Sequence, residues 1–265
     1  MDDLVVHVEG IGWWSPGLPD WPSAAAALRA GAVPDAAGAP PPASVLAPNE
    51  RRRAPEPVRL ACEVAAQACA MAERDAAALP CVFASAQGDV GTTDAMCAAL
   101  AAAPRDLSPT LFHNSVHNAA AGYWTVATQC RSASTAISAG RGSFAAGLLE
   151  AAVETHAEAR PVLLAVYDVA VRGVLADVLD GAAAFGAALV LNGERGPHAC
   201  ASLRLRHEAG AAAADDALPA ALRPLAASNP SAAALPLFVA LARAEPARVR
   251  LPAGRDASLA IELLA

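Results

Sequence analysis

The stretch from Ser108 to Val153 constrains the fold more tightly than any other part of the chain. It predicts a helix near 115–128, a polar strand over Ser132–Ser138, a glycine-containing turn at 139–142 and a second helix that runs to Ala152. A strand that passes through a tight turn into a helix is typical of proteins in which helices cover a parallel sheet. The segment therefore predicts an α/β protein.

Patterns elsewhere in the chain agree with this fold class. Residues Glu56–Ala72 place apolar side chains at helical spacing, with Pro57 in the first turn, where proline is tolerated. Further strands are predicted at Val5–Ile11, Cys81–Ala84, Val162–Val166, Phe185–Leu191, Ser202–Arg206 and Ser258–Leu264. Because helical segments separate many of these strands, we expect a partly parallel sheet that helices cover on both faces.

The length and the apolar content favour one domain over residues 1–265. Hydrophobic residues make up 55% of the sequence, but alanine supplies much of this share, and no run of about 18 apolar residues occurs. The first residues, MDD, lack the basic region of a signal peptide. These features predict a cytoplasmic protein with no membrane span.

Charge and residue usage exclude several classes of function. The formal net charge of −7 argues against a protein that binds nucleic acid. The chain contains no lysine, which excludes Schiff-base chemistry. Its six cysteines form no Cys-x-x-Cys pair, so we expect reduced thiols, most of them buried.

The Asn-x-x-x-Gly pattern of Asn118 and Gly122 opens a segment that resembles β-ketoacyl synthases. In that family the segment runs from a helix at the acyl tunnel, along the strand at the dimer interface, to the nucleophilic cysteine. An ungapped count from Asn118 puts Arg141 at the position of this cysteine, and a register shifted by four residues puts Ile137 there. Neither side chain can attack a thioester. The resemblance therefore implies a synthase scaffold without its nucleophile.

The resemblance extends over about residues 3–206 and implies the N-terminal half of a synthase. This implies a thiolase-like αβαβα half with a five-stranded mixed sheet, followed by divergent helices and a closing strand over 207–265. Complete synthases have a second half that supplies two catalytic histidines, whereas no histidine follows His207 here. The chain is thus identified as similar to a short chain length factor of the aryl-polyene type, inactive by itself.

The family pattern also implies roles for residues outside the nucleophile position. Five residues would border the acyl tunnel and limit chain length: Leu111, Phe112, Ser115, Val116 and Ala119. Seven would pair with a catalytic ketosynthase subunit: Ser132, Ala133, Ser134, Thr135, Ala136, Ile137 and Ser138. The partners implied are this ketosynthase and an acyl carrier protein, whose phosphopantetheine holds the substrates. The chain itself is expected to bind no cofactor.

Several alternatives remain open at the level of sequence. Arg141 is either a structural residue at a helix N-terminus or a residue that holds a phosphopantetheine or carrier-protein phosphate. Ser143 or Cys130, as a displaced nucleophile, would instead give an acyl-thioester transferase or hydrolase, although the Gly-x-Ser-x-Gly pattern of serine hydrolases is absent. His113 and His117 are spaced to share one helix face, but without a third nearby ligand we expect no metal site.

Overall fold

The computed structural model describes residues 4–32, 38–102, 107–179, 181, 183–212 and 218–264. The strands are β1 (Leu4–Trp14), β2 (Cys81–Ala84), β3 (Ser134–Ile137), β4 (Val162–Asp168), β5 (Phe185–Asn192), β6 (Ala201–Ala209), β7 (Ala247–Gly254) and β8 (Ala257–Leu264). The helices are α1 (Trp21–Ala30), α2 (Pro48–Arg53), α3 (Glu56–Met71), α4 (Val90–Ala102), α5 (Pro109–Asn114), α6 (Ala119–Thr128), α7 (Ser143–Glu158), α8 (Arg223–Ser228) and α9 (Leu235–Arg243). Short 3₁₀ turns include Gly140–Gly142, Gly173–Leu175 and Ser231–Ala234.

The strands form one mixed sheet in the order β3-β2-β4-β5-β1-β6-β8-β7. Strand β2 runs parallel to both β3 and β4, and the other neighbouring pairs are antiparallel. Strands β2 and β4 are buried along their whole length, as expected where helices cover both faces. The predicted α/β fold with a mixed sheet is therefore confirmed.

The predicted number of five strands is wrong, because the described residues form a sheet of eight. Strands β6, β8 and β7 extend it beyond β1 as antiparallel neighbours, with the last strand of the chain, β8, lying between β6 and β7. Strand β6 alternates apolar residues that face the core with arginines that face outward. Strand β7 begins with a similar alternation but contains Pro252, a residue that weakens any strand signal in a sequence.

Helices pack on both faces of the sheet, and each face has its own apolar core. On one face, α1, α7 and α9 cover a core that includes Trp13, Phe144 and Phe238. On the other face, α3 and α6 cover a core around Phe83 and Trp124. Both faces are thus closed by helices, and the site must lie at an edge or an end of the sheet.

Two glycines allow α3 to lie unusually close to β1. A Cβ atom at Gly10 would stand 2.0 Å from the carbonyl oxygen of Ala68, and one at Gly12 would stand 1.9 Å from that of Val64. Such distances are excluded by steric overlap, so only glycine fits at these positions. The helix predicted at Glu56–Ala72 is observed as α3 at this contact.

The last part of the chain combines confirmed and unexpected elements. Helix α9 is one of the helices expected within 207–265, and the predicted closing strand at 258–264 corresponds to β8. Strand β7, which precedes β8, was not predicted. Among the described residues, no helix is long and apolar enough to cross a membrane.

Candidate functional site

The turn expected to carry a nucleophile lies between β3 and α7, at the carboxyl end of the parallel strands. Gly140 adopts a φ of 55°, which favours glycine, and the 3₁₀ turn leads directly into α7. Gly142 packs against β7, where an added Cβ would stand 3.3 Å from the carbonyl oxygen of Pro252. The strand–turn–helix unit that presents a nucleophile is therefore present.

Arg141 occupies the exposed middle position of this turn. Its guanidinium donates a hydrogen bond of 3.2 Å to the carbonyl oxygen of Ala227 and a second one to that of Ala226. Both acceptors lie in the last turn of α8, where backbone carbonyls lack helical partners and a cation is electrostatically favoured. Arg141 thus joins the turn to the C-terminal segment, a role that its position before α7 did not predict.

The alternative register also leaves the turn without a nucleophile. Ile137 is the last residue of β3, and its partly buried side chain packs against the core on the α7 face of the sheet. A guanidinium in one register and a hydrocarbon in the other are both unable to form an acyl thioester.

Neither displaced nucleophile considered for a hydrolase or transferase is available. Ser143 is fully buried, and its hydroxyl accepts from the amide of Ala139 and donates to the carbonyl oxygen of Gly140 at 2.7 Å. Cys130 is buried, and its thiol donates to the carbonyl oxygen of Leu79. Because both groups are occupied by local contacts, the structure does not favour the hydrolase or transferase alternative.

Most of the cysteines are buried, as expected from the sequence. Cys62, Cys69, Cys81 and Cys130 are buried free thiols. Burial raises the pKa of Cys62 and Cys69 to about 12 and that of Cys81 to about 11. At neutral pH these three groups remain thiols, which are poor nucleophiles.

The two histidines considered as metal ligands serve separate contacts. His113 lies on α5 with its ring edge-on to Tyr123 at a centroid distance of 5.7 Å. His117 lies beyond the end of α5, and its Nε2 is 3.0 Å from the carbonyl oxygen of Ser85. In the part of the chain that the structure describes, no three His, Cys, Asp or Glu side chains are grouped to hold a metal ion.

A buried carboxylate at the end of β4 accepts hydrogen bonds from several segments near the site. Asp168 is fully buried and accepts hydrogen bonds from the hydroxyl groups of Ser85, at 2.8 Å, and Ser231, at 2.5 Å. The amides of Ala86 and Gln87 donate to the same carboxylate at 3.2 and 3.1 Å. Burial raises its pKa although these hydrogen bonds lower it.

The same aspartate links distant parts of the chain. The side-chain amide of Asn229 donates to the carbonyl oxygen of Asp168 at 3.0 Å, so residues 229–231 are fixed to the end of β4. The 85–87 turn is in turn joined to the end of β3 by the hydrogen bond from the Ser85 amide to Ile137. The sequence analysis assigned no role to Asp168. A carboxylate directly after a fully apolar strand could have indicated a buried hydrogen-bonding group at this position.

The predicted interface residues lie on and beside β3, at one edge of the sheet. Strand β3 comprises Ser134–Ile137, which is shorter than the predicted 132–138. The carbonyls of Ala133 and Ile137 accept from β2, so in a parallel ladder the backbone of Ser134 and Ala136 faces away from the sheet. No described strand pairs with that outer side.

The residues expected to border an acyl tunnel lie in α5 and at the start of α6. Phe112 is 62% exposed and Val116 is 49% exposed, whereas Ala119 is buried. Leu111 and Ser115 are partly buried. Helix α4 contacts both α5 and the 173–175 turn, and these elements carry more exposed apolar side chains. We call the following group the apolar surface: Leu100, Phe112, Val116, Val174 and Val178.

The two residues that match the family pattern stand at the start of α6 and on its exposed side. Asn118 directly precedes the helix, and its side chain makes no capping hydrogen bond. Gly122 lines a cavity of about 780 Å³ between α6 and residues 44–51. The Asn-x-x-x-Gly pattern thus spans the N-terminal end of α6.

Known protein families agree with the resemblance described from the sequence. A family model described as the N-terminal domain of β-ketoacyl synthase matches residues 21–243. No match was found among curated proteins.

Three solved structures illustrate the similarity. A chain of the ketosynthase ApeO in complex with its chain length factor ApeC from Xenorhabdus doucetiae is 22% identical, with a TM-score of 0.73 and coverage of 98% of this chain and 99% of that one. A chain of the ishigamide ketosynthase/chain length factor is 17% identical, with a TM-score of 0.70 and the same coverage.

The third structure is the AntDE:AntF complex, a type II PKS acyl-carrier protein with its ketosynthase bound to the hexaketide. It is 11% identical with a TM-score of 0.79, and the alignment covers both chains completely. At these identities the structures establish a shared fold. Since the family model spans most of the sequence, the chain belongs to the β-ketoacyl synthase family, through the N-terminal domain of that enzyme.

Proposed function

We propose that this chain is the non-catalytic, chain-length-factor subunit of a ketosynthase heterodimer. The observation that carries the proposal is Arg141, which an ungapped count puts at the position of the family's cysteine and whose guanidinium donates to the carbonyls of Ala226 and Ala227. The alternative register, with Ile137 at this position, also gives no nucleophile. Because no histidine follows His207, the sequence also lacks the histidines of the second half. A condensing reaction would then require a partner that supplies both groups.

The edge strand β3 supports pairing with that partner. Its outward-facing backbone at Ser134 and Ala136 offers hydrogen-bond donors and acceptors to a further strand. The strand contains only small or uncharged side chains, which permit close approach of a second backbone. The sheet of this chain would continue into that of the ketosynthase.

A four-residue strand provides few hydrogen bonds, so apolar contacts must supply most of the affinity. The apolar surface meets this requirement, because Val174 and Val178 are 78% and 72% exposed and Phe112 is 62% exposed. Exposed groups of large apolar side chains mark surfaces for protein association. In the heterodimer, α5 and the start of α6 would border the acyl tunnel of the partner. There Leu111, Phe112 and Val116 would limit the length of the product.

The solved relatives are consistent with this arrangement. Two of them are described as a ketosynthase with a chain length factor, and a third contains an acyl-carrier protein with its ketosynthase. By analogy, we propose that the substrates reach this complex on a carrier protein of a polyene or polyketide pathway.

Co-expression with a complete ketosynthase from the same genome tests the proposal. We expect both chains to elute together in size-exclusion chromatography and to condense malonyl units, whereas this chain alone should form no product. A control ketosynthase from an unrelated pathway should not co-elute. A chain that remains unpaired beside an active cognate synthase, or that condenses malonyl units alone, would contradict the proposed function.

A further inference from the structure

The junction of α2 and α3 forms an open pocket with a strongly positive lining. Helix α2 ends at Arg53, and α3 begins at Glu56 after two residues. The pocket has a volume of about 460 Å³. The residues that line it are Pro48, Arg51, Arg52, Ala54 and Arg59. Three guanidinium groups therefore share one small space, with no carboxylate among the described lining residues.

The contacts of two of these arginines involve only neutral groups. Arg51 donates to the carbonyl oxygen of Pro42 at 3.3 Å, and Arg52 donates to the side-chain oxygen of Asn49. Their neighbour Arg53 does not line the pocket and has a carboxylate partner, Glu50, at 3.7 Å. Since Arg51 and Arg52 lie in the last turn of α2, the helix dipole accounts for part of their stabilisation.

The helix dipole does not stabilise the third arginine of the pocket, Arg59. It lies in the first turn of the 16-residue helix α3, where the positive end of the helix dipole disfavours a cation. Its Nε is buried, and no described residue accepts a hydrogen bond from it. The capping residue Pro55 also provides no side-chain acceptor to the start of α3. An unused donor and an unfavourable position relative to the helix dipole thus coincide at Arg59.

We propose that this pocket binds a phosphate group. A phosphate ester or pyrophosphate would neutralise the three arginines and accept hydrogen bonds from their guanidinium groups. It would also lie near the positive end of α3, a favourable position for an anion. Guanidinium groups suit this ligand because their planar N–H donors match the oxygen atoms of phosphate. None of these residues belongs to β3 or to the proposed tunnel wall, so phosphate binding and subunit pairing can be measured separately.

Isothermal titration calorimetry with pyrophosphate, at constant ionic strength, tests the site. We expect wild-type protein to bind, and Arg59→Gln and Arg52→Gln each to weaken binding by about tenfold or more, since each removes a charge-assisted contact. The matched control Arg255→Gln, at an exposed position in the β7–β8 turn, should bind like wild type. Absence of binding by wild type, or equal binding by all four proteins, would overturn the proposal.

Thermal denaturation without ligand separates a binding role from a structural one. If Arg59 is held in a repulsive position for a ligand, Arg59→Gln should have the same melting temperature as wild type or a higher one. A lower melting temperature together with unchanged pyrophosphate affinity would show that the residue is structural.

A final comparison distinguishes the sources of the phosphate. Phosphopantetheine and pantetheine differ by one phosphate group, so binding of the first and not the second would identify a prosthetic-group or cofactor ester. Binding of pyrophosphate alone would identify a free phosphate compound. If neither phosphate-bearing probe binds, the site does not exist.

Discussion

The two edge strands of the sheet differ in how they are protected against pairing. Strand β7 carries Arg248, whose side chain is 81% exposed, together with Arg250, Pro252 and an irregular register at Pro252/Gly254. Charged side chains, proline and bulges are the means by which proteins prevent edge-to-edge association. Strand β3 contains none of these protective features. The molecule also exposes the large side chains of the apolar surface.

This difference indicates that one edge is closed to association and the other is open to it. Both edges offer backbone hydrogen-bonding groups, so the side chains decide which edge can accept a partner. Aggregation through an unprotected edge would be harmful unless a cognate strand normally covers it. The contrast therefore supports β3 as the pairing edge. The predictions below test the support of this edge, the edge itself and the turn that follows it.

Removal of the Asp168 carboxylate should have the largest effect, because it supports the 85–87 turn beside β3. In Asp168→Ala, two buried hydroxyl donors and two partly buried amide donors lose their acceptor, and we expect the free energy of unfolding to fall by about 3 kcal/mol. Urea denaturation measures this change. The control Asp177→Ala, at an exposed position, should be nearly neutral; an equal loss in both variants would refute the role of Asp168.

The pH dependence of stability provides a second test of the contribution of Asp168. The pKa of Asp168 is raised in the folded state above the ordinary value of 3.8. Folded protein then binds this proton more tightly than unfolded protein, so the group contributes less stability as the pH rises from 3.8 through the raised pKa. The difference in stability between wild type and Asp168→Ala should narrow over that interval. A difference that widens would show that the pKa is lowered.

Blocking the outer side of β3 should affect pairing and leave the fold intact. Ala136→Pro removes an amide that faces away from β2, so the existing ladder keeps its hydrogen bonds. We expect affinity for the ketosynthase to fall by about tenfold or more, through the lost hydrogen bond and the bulk of the proline ring at the interface. Analytical ultracentrifugation of the mixed subunits measures this loss.

The matched change for that experiment is Arg248→Ala on the opposite edge. It should leave the affinity unchanged, because β7 is the protected edge in this interpretation. If Arg248→Ala weakened pairing as strongly as Ala136→Pro did, the assignment of the two edges would be wrong.

Arg141→Cys should have the smallest effect on stability and none on activity. The change removes two exposed hydrogen bonds to the end of α8, which we expect to lower the free energy of unfolding by about 1 kcal/mol. The isolated variant should still condense no malonyl units, because the histidines are absent. Arg131→Cys is the control, and condensation by Arg141→Cys alone would show that the cysteine was the only missing group.

The parts of the fold that the sequence predicted are those with local signals. The apolar runs of β2 and β4, the helical stripe of α3 and the strand–turn–helix unit around Arg141 each depend on neighbouring residues. Their hydrophobic spacing therefore identified them without knowledge of the rest of the chain.

The features that the sequence did not predict depend on contacts between distant segments. Strand β7 has weak strand signals and is stabilised by pairing with β8. The hydrogen bonds of Asp168 to Ser231 and of Arg141 to Ala226 join segments separated by dozens of residues. No local pattern in the alanine-rich region before α9 revealed that it supplies these partners.

The hydrogen bonds that Asp168 makes with Asn229 and Ser231 also bear on the timing of assembly. The turn that supports the end of β3 gains its full set of contacts only after residues 229–231 have left the ribosome and folded back. In the proposed heterodimer, the β3 edge would therefore be fully supported only after the 229–231 segment has packed against the end of β4.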